Sequence, residues 1–327
     1  MPAAKLNVVY RQQLRENPLT FVFLAAALAV GGLLAVQASV NLQLGRAVGT
    51  PYGAATVQLA VSAGLLALVV SAAGSWAALG GIDEVAWWQL LGGIASPVYI
   101  TSAIVLFPRM GALASVGLFV TGQMFASIAL DVGGLLGVEQ RPLGPGMLLG
   151  GAAVLAGIAV VIRSQLTGAQ AHATVAARIG WVALGLVAGA VLPVQGATNA
   201  ELRRALGDPF ATGLWSFLVA TATIAIALLV LVTARRTPPP RFGALTTVPW
   251  WGWLGGAAAA TYVTVTFSVI PQIGAATTIA LTVTGQQIAS AAIDHKGWFQ
   301  LPAKPVTAER LGGLAALSIG CALVQLA

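Results

Sequence analysis

An all-α membrane protein with ten transmembrane helices, arranged as a 5+5 inverted-topology repeat, is the fold this sequence predicts, and three observations predict it. Of 327 residues, 58% are hydrophobic and only 8% charged, against roughly 25% charged in an average soluble domain. Uncharged stretches at 17–45, 47–82, 85–108, 110–130, 142–162, 179–200, 209–234, 242–293 and 311–327 mostly have the length of one span, about 20 residues rising about 1.5 Å each. Finally, the second half of the chain repeats the first.

The expected helices are 19–43, 52–76, 86–107, 111–131, 146–164, 180–203, 210–233, 250–270, 274–294 and 309–326. Residues 1–18, MPAAKLNVVYRQQLRENP, form a basic leading segment. No A-x-A-like cleavage site follows a short apolar core, so the first helix reads as a permanent span and not a removed signal. Helices one and two meet at Gly49-Thr50-Pro51, and helices six and seven at Gly207-Asp208-Pro209. There glycine suits a left-handed C-terminal cap, Thr50 or Asp208 an N-cap, and proline the first turn. Helices three and eight open on Trp87-Trp88 and Trp250-Trp251, where an aromatic belt at the headgroups belongs.

The 52-residue run at 242–293 would be about 78 Å long as one helix, against a hydrocarbon core of about 30 Å. Pro271-Gln272-Ile273-Gly274 therefore reads as a turn between helices eight and nine. The polar loop 164–178, SQLTGAQAHATVAAR, separates the halves 19–163 and 179–327, and TARRTPPPR at 233–241 joins helices seven and eight. Strands are excluded, since lipid-facing backbone must pair inside helices or a closed barrel and the two-residue alternation of a barrel is missing.

The repeat has two registers. NLQLGRAVGTP at 41–51 returns as NAELRRALGDP at 199–209, an offset of 158. At an offset of 163, Trp87-Trp88 falls on Trp250-Trp251, Leu91-Gly92-Gly93 on Leu254-Gly255-Gly256, and Tyr99 on Tyr262. Pro108, Gly111-Ala112, Thr121-Gly122-Gln123, Ser127 and Asp131 fall on Pro271, Gly274-Ala275, Thr284-Gly285-Gln286, Ser290 and Asp294. Five helices is an odd number, so the second unit must enter the membrane from the opposite side.

The polar residues inside the spans are the candidate site. Gln37, Asn41, Leu44 and Val48 lie on one helix face, and Gln195, Asn199, Leu202 and Leu206 repeat it. An amide in lipid costs free energy unless it is hydrogen-bonded or faces a wet cavity, so these amides read as pathway residues or as interhelical glue. Gln123 and Gln286, with neighbouring Gln287, sit about 12 residues into their helices, about 18 Å deep, and Tyr99 and Tyr262 could line the same space. Arg46 and Arg204, at helix ends, read as gate residues or as side chains reaching the headgroups. Asp131 and Asp294 are candidates for gating, proton exchange or simple capping.

Several chemistries fall away. One cysteine, Cys321, permits no disulfide framework, and His172 and His295 are too few for a metal cluster, so no metal or other cofactor is expected. No enzyme is expected either: HExxH is missing and no histidine lies inside a span. Inversion would hold the two aspartates roughly 30 Å apart, beyond the about 3 Å of a proton-sharing aspartyl dyad. No GxxxxGK[ST] loop supplies ATP. The formal charge of +7 is scattered over loops, which fits anionic lipid headgroups and not nucleic acid.

The pattern Q-x-x-x-N-x-x-L, then G-x-P, WW, GG, P-x-x-G-A, G-Q and an aspartate, present twice, resembles the YdcZ-type inner-membrane exporter family of the drug/metabolite transporter superfamily. The resemblance covers about 20–162 and 180–325. It implies a drug/metabolite transporter-like fold, a ten-helix inner-membrane transporter with an inverted repeat and both termini cytoplasmic. That orientation puts six of the 16 basic residues inside, fewer than the positive-inside rule favours. With the polar residues inside the spans, the expected function is a secondary exporter of a small metabolite or drug-like molecule by alternating access around a midplane site, with a proton as the candidate coupling ion. The small multidrug-resistance branch carries a carboxylate inside its first helix; the interiors of helices one and six here carry Gln and Asn instead, which points to a neutral or zwitterionic substrate. The competing expectation is a non-transporting membrane scaffold or lipid-binding subunit.

Overall fold

The computed structural model describes residues 18–166 and 174–326. The leading segment through residue 17 and His172 lie outside the described residues, as does part of the loop between the halves. Among the described residues ten long α-helices are present: α1 (Pro18–Val48), α2 (Pro51–Ala73), α3 (Ala95–Met110), α4 (Ala112–Gly133), α5 (Pro145–Leu166), α6 (Val175–Leu206), α7 (Pro209–Thr233), α8 (Leu254–Ile273), α9 (Ala275–Lys296) and α10 (Ala308–Leu326). No strand occurs among the described residues.

Among the described residues eight stretches, from Leu19–Val48 to Trp250–Ile270, are long and apolar enough to cross a membrane. The ninth and tenth helices are not among them. α9 buries Thr278, Thr282, Gln286, Gln287, Ser290 and Asp294, so its polar face is covered by protein neighbours.

Helices three and eight differ from expectation at their starts. Trp87–Ile94 and Trp250–Trp253 are 3₁₀ segments leading into α3 and α8. Their first tryptophans stand 73% and 76% exposed, as headgroup anchors would. The expected turn at Pro271–Gly274 shrinks to one residue. α8 runs through Ile273 and α9 begins at Ala275, with Gly274 at φ 83° between them. Gly111, at φ 85°, makes the same break between α3 and α4. Pro108 lies inside the last turn of α3, where it lacks the N–H that would close a helical bond, and the positive φ that follows demands glycine.

Both Gly-x-Pro corners form. Gly49 and Gly207 take φ of 85° and 68°, and their N–H groups return to Gly45 O and Arg203 O, each at 2.9 Å. Asp208 caps α7, with Oδ1 accepting from Phe210 N and Ala211 N at 2.8 Å. Thr50 departs from expectation: it holds the N-cap position but makes no side-chain cap bond. Its hydroxyl instead pairs with Thr237 Oγ1 at 3.1 Å, because the proline-rich loop before α8 folds back over this corner.

Packing follows the repeat. α1 packs on α9 and α8, and α6 packs on α4 and α3; α2 pairs with α7, and α5 with α10. The crossings are close. A Cβ on Gly285 would run into the Leu28 carbonyl of α1, and one on Gly122 would run into the Leu186 carbonyl of α6. Small residues at crossings let backbones touch where lipid offers no hydrophobic drive to associate. Phe107 and Phe119 fill the centre, fully buried with ring centroids 6.5 Å apart. Apolar side chains such as Phe21, Leu68, Leu149 and Leu229 point outward.

Candidate functional site

The face predicted on the first helix is buried: Gln37, Asn41, Leu44 and Val48 are each at most 4% exposed. Asn41 Oδ1 lies tight against Gly255 at the start of α8, where a Cβ would have no room. Gln58 of α2, fully buried, donates from Nε2 to Ser62 Oγ at 2.9 Å. Ser62 Oγ lies 3.1 Å from the Gly256 carbonyl. Asn41 and Gln58 therefore flank the glycine pair 255–256, and Gln37 lies one turn before Asn41 on the same face of α1. Here Gln37 Oε1, both Asn41 amide atoms and Gln58 Oε1 are buried without a hydrogen-bond partner.

The repeat-related face of α6 meets the other glycine pair. Asn199 Oδ1 packs against Gly92 as Asn41 does against Gly255. Gln195 Nε2 donates to Ser96 Oγ at 2.8 Å, Ser96 Oγ donates back to Gln195 Oε1 at 3.2 Å, and Asn199 Nδ2 donates to Ser216 Oγ at 3.0 Å. Gln195 and Asn199 are only half-buried.

A third contact spans the halves. Gln286 Nε2 of α9 donates to the Tyr99 hydroxyl of α3 at 2.8 Å, both groups buried, and the Tyr99 ring leans on Phe119 at 5.0 Å. Tyr262 sits near enough to Tyr99 to interact with it electrostatically. Gln123 is half-buried on α4. Gln287, beside Gln286, is fully buried with both amide atoms unpaired.

The charged candidates lie at helix ends. Asp294 is fully buried and ties three elements together. Its Oδ1 accepts from Ala112 N at 2.7 Å and its Oδ2 from Leu113 N at 3.1 Å, at the positive N-terminus of α4. Arg310 Nη2 of α10, a residue 5% exposed, donates to the same Oδ2 at 2.9 Å. Arg310 Nη1 also donates to the Lys304 and Pro305 carbonyls. Burial pushes the Lys304 ammonium below its ordinary lysine value; Asp294 opposes this and Arg310 adds to it.

Asp131 is half-buried at the far end of α4, 19 positions from Ala112, about 28 Å along the helix. The aspartates are therefore nowhere near each other, and the C-terminal end of α9 against the N-terminus of α4 makes these repeat-related helices antiparallel. Arg46 is exposed and donates to the side chain and carbonyl of Gln300. Arg204 is exposed and pairs with Glu201. Among the described residues no group of His, Cys, Asp and Glu could hold a metal ion.

Reading the chain alone misses Gln58, Ser62, Ser96, Ser216 and Arg310. The repeat register could have found Gln58, since the 158 offset places it opposite Ser216. Arg310 carries no such signal, because Met147 stands in its place in the first half. Apart from these groups, a shallow groove between α2 and α7 is lined almost wholly by apolar side chains, among them Ala63, Trp76, Leu214 and Leu218.

One family model, described as "Putative inner membrane exporter, YdcZ", matches the chain twice, over residues 22–160 and 180–323. No curated protein matches it. Five chains of solved structures do. One crystal structure covers 92% of this chain and 97% of its own, with a TM-score of 0.58 at 15% identity, a likeness of fold alone. Matched in both halves and built of long apolar helices, the chain belongs to the YdcZ inner-membrane exporter family and is a multi-pass membrane transporter.

Proposed function

We propose that this protein is a secondary exporter of a small metabolite or drug-like molecule, working by alternating access as one five-helix unit rocks against the other around a site near the membrane midplane. The observation that carries this reading is the exchange of polar contacts between halves: Tyr99 with Gln286, Asn41 with Gly255, and Asn199 with Gly92. Buried amides are costly in lipid, and here they gather where the halves meet.

In this reading all ten helices cross the membrane as an inverted 5+5 repeat, which the antiparallel run of α4 and α9 supports. Halves 19–163 and 179–327 are the moving units, and both termini face the cytoplasm. Gln37, Asn41, Tyr99, Gln123, Gln195, Asn199, Tyr262 and Gln286 line the pathway. The Asp294–Arg310 tie closes one end, Arg46 holds the loop after α9 at that same end, and Arg204 is its counterpart at the other. Asp131, half-buried and with its charge less fully satisfied, is the proton-exchange candidate. Its partners in this reading are the small-molecule substrate and the lipid bilayer, with no nucleic acid.

The test is a thermal-shift screen of metabolites and drugs on purified protein, followed by flux of each hit into vesicles. Replacing Gln123 and Gln286 together by Leu is expected to stop flux while unfolding stays cooperative. Undiminished flux in that variant would sink the pathway assignment. A purified protein with neither hits nor flux would favour the scaffold or lipid-binding role.

A further inference from the structure

We infer that the two repeat-related amide clusters of the pathway do different work: the Gln195 cluster lines it as a closed, internally hydrogen-bonded tie between helices, and Gln37, Asn41 and Gln58 form a binding site for an uncharged hydrogen-bonding group, a carboxamide or hydroxyl. The inference rests on the transport reading only in taking that ligand to be the cargo.

The repeat register shows how the difference arises. Around Gln195 the hydroxyls of Ser96 and Ser216 answer the amides of Gln195 and Asn199. In the other cluster Ala259 stands in register with Ser96, and Gln58 with Ser216. One hydroxyl is lost and the other is replaced by an amide whose Nε2 is committed to Ser62. Asn41 Oδ1 and Asn199 Oδ1 both rest on a glycine Cα, a contact of the weak C–H···O kind. What distinguishes the first cluster is the remainder: Gln37 Oε1, Gln58 Oε1 and Asn41 Nδ2, two acceptors and a donor without partners. Their residues are 4%, 0% and 0% exposed. Buried polar atoms are almost always paired, and the exceptions mark functional positions or bound groups.

The ligand's charge follows from the walls. α1 up to Arg46, α2 and α8 contain no Asp, Glu, Lys or Arg. An ionic group would therefore enter a low-dielectric space without a counter-charge. A carboxamide supplies both a donor pair for the two oxygens and an acceptor for Asn41. A hydroxyl supplies one of each.

The experiment uses purified full-length protein and three probes of one size: benzamide, benzoate and benzylamine. Thermal unfolding is followed as each is titrated. Benzamide is expected to raise Tm saturably, and the two charged analogues to leave it unchanged. Gln58→Met and Gln37→Met, which keep side-chain length without the amide, should each weaken the benzamide response at least tenfold. Ser216→Ala, in the closed cluster, should lower Tm without benzamide and retain the response to it. The inference is overturned by a wild type that ignores benzamide, by a larger response to either charged probe, or by full responses in both Met variants. Because binding is read without flux, benzamide binding in a protein that transports nothing leaves the site standing and removes only its role in transport.

Discussion

Asp131 and Asp294 occupy the same place in their repeats, yet their carboxylates live in different surroundings. The backbone treats them alike: Asp131 O accepts from Arg141 N at 2.8 Å, and Asp294 O accepts from Lys304 N at 2.6 Å, at matching positions of the two loops. The side chains diverge. Asp294 is fully buried against the start of α4 and against Arg310, whereas Asp131 is half-buried. Where the second half has Arg310, the first has Met147. A duplicated residue inherits its backbone setting but not its partner, because the partner comes from another helix that has diverged by itself.

The largest effect expected on this contrast comes from removing the buried carboxylate. Asp294→Ala leaves the Arg310 guanidinium buried and unpaired, a loss of about 3–5 kcal/mol in unfolding free energy. Asp131→Ala should cost well under half of that. Equal losses, measured by denaturation in one detergent, would break the comparison. Replacing the pair together, Asp294→Leu with Arg310→Met, should recover most of the loss, because an apolar pair leaves no orphan charge.

A smaller effect separates the two corners. Asp208→Ala deletes a real cap and should cost about 1 kcal/mol. Thr50→Ala deletes no cap bond and should cost less, since only the hydroxyl contact with Thr237 is lost. A Thr50 loss exceeding that of Asp208 would mean the loop contact matters more than the cap.

The smallest expected effect is on pH dependence at the closed end. Burial lowers the folded-state pKa of Lys304, so above that value the unfolded chain holds the proton more tightly. Its contribution to stability is therefore least favourable below the folded pKa and improves as pH climbs towards the ordinary lysine value. The difference in stability between wild type and Lys304→Met should grow in favour of the wild type over that alkaline range. A difference that stays flat would place Lys304 in water.

Much of this protein is legible residue by residue. Ten helices, the two Gly-x-Pro corners and the division into halves all follow from charge-free lengths and from glycine and proline, whose effects act within one turn. The same local rules fail where a distant segment intervenes. Thr50 looked like a cap, but the loop before α8 took its hydroxyl. The span count also depends on neighbours, since α9 is polar along a face that only other helices can cover. Gln286 was readable as a buried amide, while its bond to Tyr99 required the packing of α9 against the first half.

The sequence by itself determined the membrane class, the helices and the repeat, because apolar composition, periodicity and backbone preference are carried by each segment alone. Only the tertiary structure decided which repeated polar groups are satisfied. Gln195 finds Ser96, while Ala259 stands in register with Ser96 in the second half and Gln37 Oε1 stays unpaired; Asp294 finds Arg310 where the first half offers Met147. Hydrogen bonds and ion pairs require two groups within about 3 Å, and that proximity is set by packing between helices far apart in the chain.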